Sequence, residues 1–91
     1  MQSQVRTFDF AGQNIYTGID VHKKNWSVCI ASDHLEHKMF SHDPDPTQLM
    51  KYLNKNFPNA NFYTSYEAGF CGFWIHQALI RAGANNIVVN P

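Results

Sequence analysis

The sequence predicts a mixed α/β fold: a five-stranded sheet in the order 3-2-1-4-5 with helices on its faces. Three observations carry that expectation. Three short runs rich in β-branched and aromatic residues follow one another through polar links. Two later strand-like runs each come after an amphipathic helical segment, and two of the strands end on a carboxylate, Asp20 and Glu67. Ninety-one residues suffice for one domain or part of one, and a 44% apolar content with seven Phe, four Tyr and two Trp supplies a core.

Residues 1–13 read as an N-terminal arm, with Val5, Phe8 and Phe10 available for packing, and residues 14–91 as the folded part. The first strand is the apolar run Ile15 to Val21, which ends on Asp20 and the charged turn His22-Lys23-Lys24-Asn25. A carboxylate in such a strand is costly to desolvate without a positive partner, which singles out Asp20. Trp26 to Ala31 is the second strand, and the short link favours an antiparallel hairpin. Glu36 to Phe40 is a more polar third strand, suited to a sheet edge.

Asp45 followed by Pro46 is helix-start chemistry, and Leu49, Met50, Leu53 and Phe57 then recur at helical spacing until Pro58 and Asn59 end the helix. Lys51 and Lys55 fall on its solvated side. Asn61 to Glu67 is the fourth strand. A second helix carries Cys71, Ile75, Ala78, Leu79 and Ala82 on one stripe, with Gly83 as its C-terminal cap. Asn86 to Asn90 is a short, continuously apolar strand of the kind buried on both faces of a parallel sheet. Right-handed crossovers place the fourth strand beside the first and the fifth beyond it, a ribonuclease-H-like plan.

In this topology Asp20 and Glu67 lie at the C-terminal ends of parallel neighbours, where open α/β sheets bind ligands. Two adjacent carboxylates repel, and all-oxygen ligation of Mg²⁺ or Mn²⁺ relieves the repulsion. Such a pair begins a two-metal phosphodiester site but does not complete one, since no acid follows Glu67. Taken singly, each carboxylate is more readily explained as a turn or capping residue, and it is their matched placement that points to function. Lys23 and Lys24, just past Asp20, are candidates for phosphate contacts, or a solvated hairpin tip. Phe70, Phe73 and Trp74 are candidates for base stacking, or ordinary core and interface residues. Gly69 and Gly72 allow a close approach at the second helix, for which helix packing is the commoner reason.

The pair His34 and His37 has no cysteine partners, so zinc is not expected. Cys29 and Cys71 show no paired spacing and read as free thiols of a reduced, cytoplasmic protein. Seven basic and seven acidic residues balance, so nucleic-acid binding would rest on a local patch. No run reaches the roughly 20 apolar residues of a membrane span, and no secretory signal opens the chain. No Walker loop, nucleophile elbow or dinucleotide glycine pattern occurs. Actin-like sugar kinases share a similar strand order, but their phosphate-holding hairpin is glycine-rich and Val21 to Asn25 contains no glycine.

Three blocks together resemble a known family. Gly18-Ile19-Asp20-Val21-His22-Lys23, Tyr66-Glu67-Ala68-Gly69 and Ile87-Val88-Val89-Asn90-Pro91 look like the N-terminal half of the DEDD-type transposases of bacterial insertion sequences, over residues 14–91. The resemblance implies a RuvC-like domain whose four acids bind divalent metal for DNA strand cleavage and exchange. Asp20 and Glu67 would be the first and second of these, for catalysis and metal binding. It implies further that the chain is an N-terminal fragment, truncated after the fifth strand, of a DNA transposase. The parent would be an enzyme, whereas the fragment would hold Mg²⁺ or Mn²⁺ weakly at most and be inactive alone. Family members use a structured RNA to choose DNA sites and carry a serine nucleophile in a further domain. A sheet face left uncovered by truncation is expected to favour a homo-oligomer. The alternatives are a non-catalytic ribonuclease-H-like interaction module and a fragment of a sugar-kinase-like ATPase.

Overall fold

The computed structural model describes residues 9–33, 38–67 and 74–89. The elements run β1 (Asn14–Val21), β2 (Trp26–Ser32), β3 (Lys38–His42), α1 (Pro46–Asn56), β4 (Asn61–Glu67), α2 (Trp74–Arg81) and β5 (Asn85–Val89). The five strands form one mixed sheet in the order β3-β2-β1-β4-β5. β1 pairs antiparallel with β2, and β2 with β3, whereas β1 with β4 and β4 with β5 are parallel.

Strict alternation along the central strands decides which face is buried. Ile15, Thr17 and Ile19 of β1, Trp26, Val28 and Ile30 of β2 and Phe62, Thr64 and Tyr66 of β4 are all buried. Leu49, Met50 and Leu53 of α1 and Ile75 and Leu79 of α2 join them in a single core. Both helices therefore cover the same face of the sheet, and the expectation of helices on its faces narrows to one face. Among the described residues nothing packs on the other, where Tyr16, Met39, Tyr63, Ile87 and Val89 are exposed.

Local chemistry sets the helix ends. The Asp45 carboxylate accepts from the backbone N–H groups of Thr47 and Gln48 at 2.9 and 3.2 Å, and Pro46 opens α1. Past α2, Gly83 N–H donates to the Ile80 carbonyl and Ala84 N–H to the Leu79 carbonyl, each at 3.0 Å. That is a Schellman closure, with Gly83 at φ 101° and Ala84 buried over it.

Four expectations change. β3 runs on to His42, past the expected end at Phe40, with Ser41 and His42 paired to Ser27 and Trp26 of β2, while Phe40 packs on the Tyr52 ring of α1 at 5.0 Å and Lys38 Nζ donates to the Tyr52 hydroxyl at 2.8 Å. Ala82 is exposed in the capping turn, and Ala84 takes the buried place instead. β5 is an edge strand covered on one side only, so Ile87 is 64% exposed rather than buried on both faces.

The last concerns the arm expected over residues 1–13, of which residues 9–13 are attached to the turn after α1. Phe10 N–H donates to the Pro58 carbonyl at 2.9 Å, Asn61 N–H donates to the Gln13 carbonyl at 2.8 Å, and the Phe10 and Phe57 rings meet edge to face at 5.2 Å. Val5, Phe8, His34, Glu36, His37, Asn90, Pro91 and the segment 68–73, with Gly69, Phe70, Cys71, Gly72 and Phe73, lie outside the described residues.

Candidate functional site

The open face of the two central parallel strands is organised in three steps. Tyr16 is in register with Tyr63, Gly18 with Ser65, and Ile19 with Tyr66. One position further, at the C-terminal ends of β1 and β4, this register sets Asp20 beside Glu67, on strands about 4.8 Å apart. Side chains two apart share a face, so the carboxylates, the small pair Gly18 and Ser65, and the tyrosines follow one another along one surface. Tyr16 and Tyr63 stack with ring centroids 5.7 Å apart at 26°. Because Gly18 has no side chain and a Cβ there would meet nothing within 4 Å, the surface dips between the carboxylates and the tyrosines. Asp20, Glu67, Ser27 of β2, Met39 of β3 and Val89 of β5 line that depression with them.

Asp20 and Glu67 are both exposed, the Asp20 side chain by 73%. This corrects the reasoning that drew attention to Asp20. Its strand is apolar on the helix side only, and its carboxylate points to the open side, where desolvation costs little. Its partner is His22, whose Nε2 lies 3.4 Å from Asp20 Oδ2. His22 was not expected at the site; it is the first residue past β1, two positions from Asp20.

Lys23 and Lys24 are exposed in the turn between β1 and β2, beyond the carboxylates. Lys51 and Lys55 lie on the solvated side of α1. Among the described residues no three His, Cys, Asp or Glu side chains gather into a cluster able to hold a metal ion. The donor set is therefore two neighbouring carboxylates. That number fits a hard cation that keeps waters or phosphate oxygens in its other positions, and does not fit an all-protein cage. No described helix is long and apolar enough to cross a membrane. No protein-family model matches the chain, and a search of curated proteins gave no sequence relative.

Proposed function

We propose that the chain forms the N-terminal part of a ribonuclease-H-like, RuvC-type domain of a DEDD-type insertion-sequence transposase. Asp20 and Glu67 supply two of the four acids that bind Mg²⁺ or Mn²⁺ for DNA strand cleavage and exchange. One observation carries this reading: the two carboxylates stand side by side, on one face, at the C-terminal ends of parallel central strands. The strand order and the two parallel crossovers agree with it. When bound, the metal would activate a nucleophile and stabilise the leaving oxygen of a phosphodiester.

The role of this chain's own residues is to hold and orient. The edge of the sheet fixes the spacing of Asp20 and Glu67, the gap over Gly18 leaves room for a phosphate, and Lys23 and Lys24 flank the approach of a DNA backbone. Two carboxylates bind such a cation weakly, so the reading assigns the other two acids to sequence beyond this chain and expects no turnover from it alone. DNA is the proposed partner. The structured RNA rests on the family resemblance, and self-association through the open apolar face on the exposure of Met39 and Ile87.

A second reading, a non-catalytic interaction module of the same fold, draws on the contact between His22 and Asp20, which gives that carboxylate a partner without any metal. Mn²⁺ titration followed by electron paramagnetic resonance separates the two. The metal reading expects one weak site that is lost in both Asp20→Asn and Glu67→Gln. Equal binding by wild type and both variants removes it. Cleavage of branched DNA by this chain in Mg²⁺ or Mn²⁺, abolished by Asp20→Ala, would overturn the expectation of inactivity.

A further inference from the structure

A second groove lies on the helix side of the same sheet edge. Trp26, Pro44 and Ile75 line it together with His22, Lys23 and Trp74. Trp26 and Ile75 are buried members of the core, so they make a fixed apolar floor. Trp74 of α2 is 54% exposed. An indole half out of water above an apolar floor presents a flat surface of the kind on which nucleobases stack. Among the described residues no carboxylate lines the groove, whereas Lys23 and His22 do, and Lys24 follows in the same turn. The two carboxylates and this groove thereby occupy different sides of the edge: Asp20 and Glu67 on the open face, Lys23 and Trp74 on the other.

The two sides share one residue. His22 lines the groove and also contacts Asp20 at 3.4 Å. A strand whose base occupied the groove would carry its backbone over the turn from His22 to Lys24 toward the carboxylates.

We infer that this groove is a binding site for an unpaired nucleotide of a DNA strand, with the base stacked on Trp74 and its phosphate at Lys23. The inference rests on the proposed DNA function and adds what that reading lacks, the form of DNA at the site and the residues that hold it. Paired bases are stacked on their neighbours and do not reach an indole set in a groove, so the site selects single strands over duplex. Stacking is sequence-tolerant, because every base offers a flat face.

The test is binding of a fluorescein-labelled oligothymidylate of about twelve nucleotides, in EDTA, by the wild-type chain and by Trp74→Ala, Trp74→Phe and Lys23→Ala. Omitting divalent metal keeps the outcome independent of the carboxylates. The expected results are binding weakened about five-fold or more by Trp74→Ala, largely retained in Trp74→Phe, and a salt dependence reduced by about one ion in Lys23→Ala. Circular dichroism checks that Trp74→Ala is folded, and Trp74→Phe keeps an aromatic surface if it is not. Unchanged affinity in Trp74→Ala, equal loss in Trp74→Phe, or equal competition by a duplex of the same length overturns the inference. Tighter binding of the ribonucleotide strand overturns its assignment to DNA. Binding with this pattern but no Mn²⁺ site would remove the metal reading alone, and a Mn²⁺ site without Trp74 dependence would remove this one alone.

Discussion

The Tyr66 hydroxyl accepts a hydrogen bond from the backbone N–H of His76 at 3.0 Å, joining the residue before Glu67 to α2. The bond is a tie from the side chain of a strand to the backbone of a helix, and the net contribution of such a bond is about 1 kcal/mol. Tyr66 is only 2% exposed, which fixes the end of β4 and with it the starting point of Glu67.

Tyr66→Phe keeps the packing of the ring and removes the hydroxyl, and with it this hydrogen bond. The expected loss is about 1 kcal/mol, read as a lower midpoint in urea unfolding with an unchanged slope. A melt indistinguishable from wild type would show that the bond contributes nothing.

Thr17 poses the opposite case. It is 1% exposed on the helix side of β1, and its Oγ1 has no hydrogen-bond partner among the described residues. A buried hydroxyl without a partner is destabilising relative to a methyl group of similar shape. Thr17→Val is therefore expected to raise stability, by up to about 1 kcal/mol, in the same urea experiment. Destabilisation by this variant would mean that the hydroxyl has a partner after all.

Gly83 closes α2 at φ 101°, a conformation that side chains oppose. A Cβ there would meet no atom within 4 Å, so the cost of Gly83→Ala is that of the backbone alone, about 1 kcal/mol. Gly83→Asn, which tolerates the left-handed region better, should recover part of it. Thermal melts of the two variants beside wild type give the comparison.

Local chemistry was the readable part of this chain. Asp45 with Pro46 and Gly83 each act over a few residues, and the sequence alone places them correctly. Strand order was also legible, since hairpin links and crossover lengths leave few arrangements. Tertiary relations were not. The end of β3 at His42 is a pairing with Trp26 of β2, and Phe40 and Lys38 both meet Tyr52, more than ten positions away. The half-exposed state of β5 follows from both helices choosing one face, which an apolar run such as Ile87 to Val89 does not reveal. At the site, the pairing of Asp20 with Glu67 followed from topology, whereas the contact of His22 depends on a side-chain orientation. The Tyr16 and Tyr63 stack, by contrast, was within reach, because i, i+2 spacing in two parallel strands aligns them with the carboxylates.

The exposure of Asp20 and Glu67 leads to a last prediction, which distinguishes a ligand role from a structural one. A carboxylate that caps a turn or helix, as Asp45 does, contributes about 0.5–2 kcal/mol, and its removal shows directly in stability. Two exposed carboxylates side by side give no such support and repel each other. Asp20→Asn and Glu67→Gln, each measured in EDTA at low salt, should therefore unfold within about 0.5 kcal/mol of wild type or slightly above it. The small gain should vanish in about 1 M salt, where the Debye length is roughly 3 Å. Asp20→Asn also loses the contact with His22, an exposed pair whose contribution is small. Asp45→Ala is the control, with an expected cost of about 1 kcal/mol at either salt concentration. A comparable loss in Asp20→Asn or Glu67→Gln would place that residue with Asp45, as part of the scaffold. Stability unchanged together with a lost Mn²⁺ site would leave ligand binding as the role of the pair.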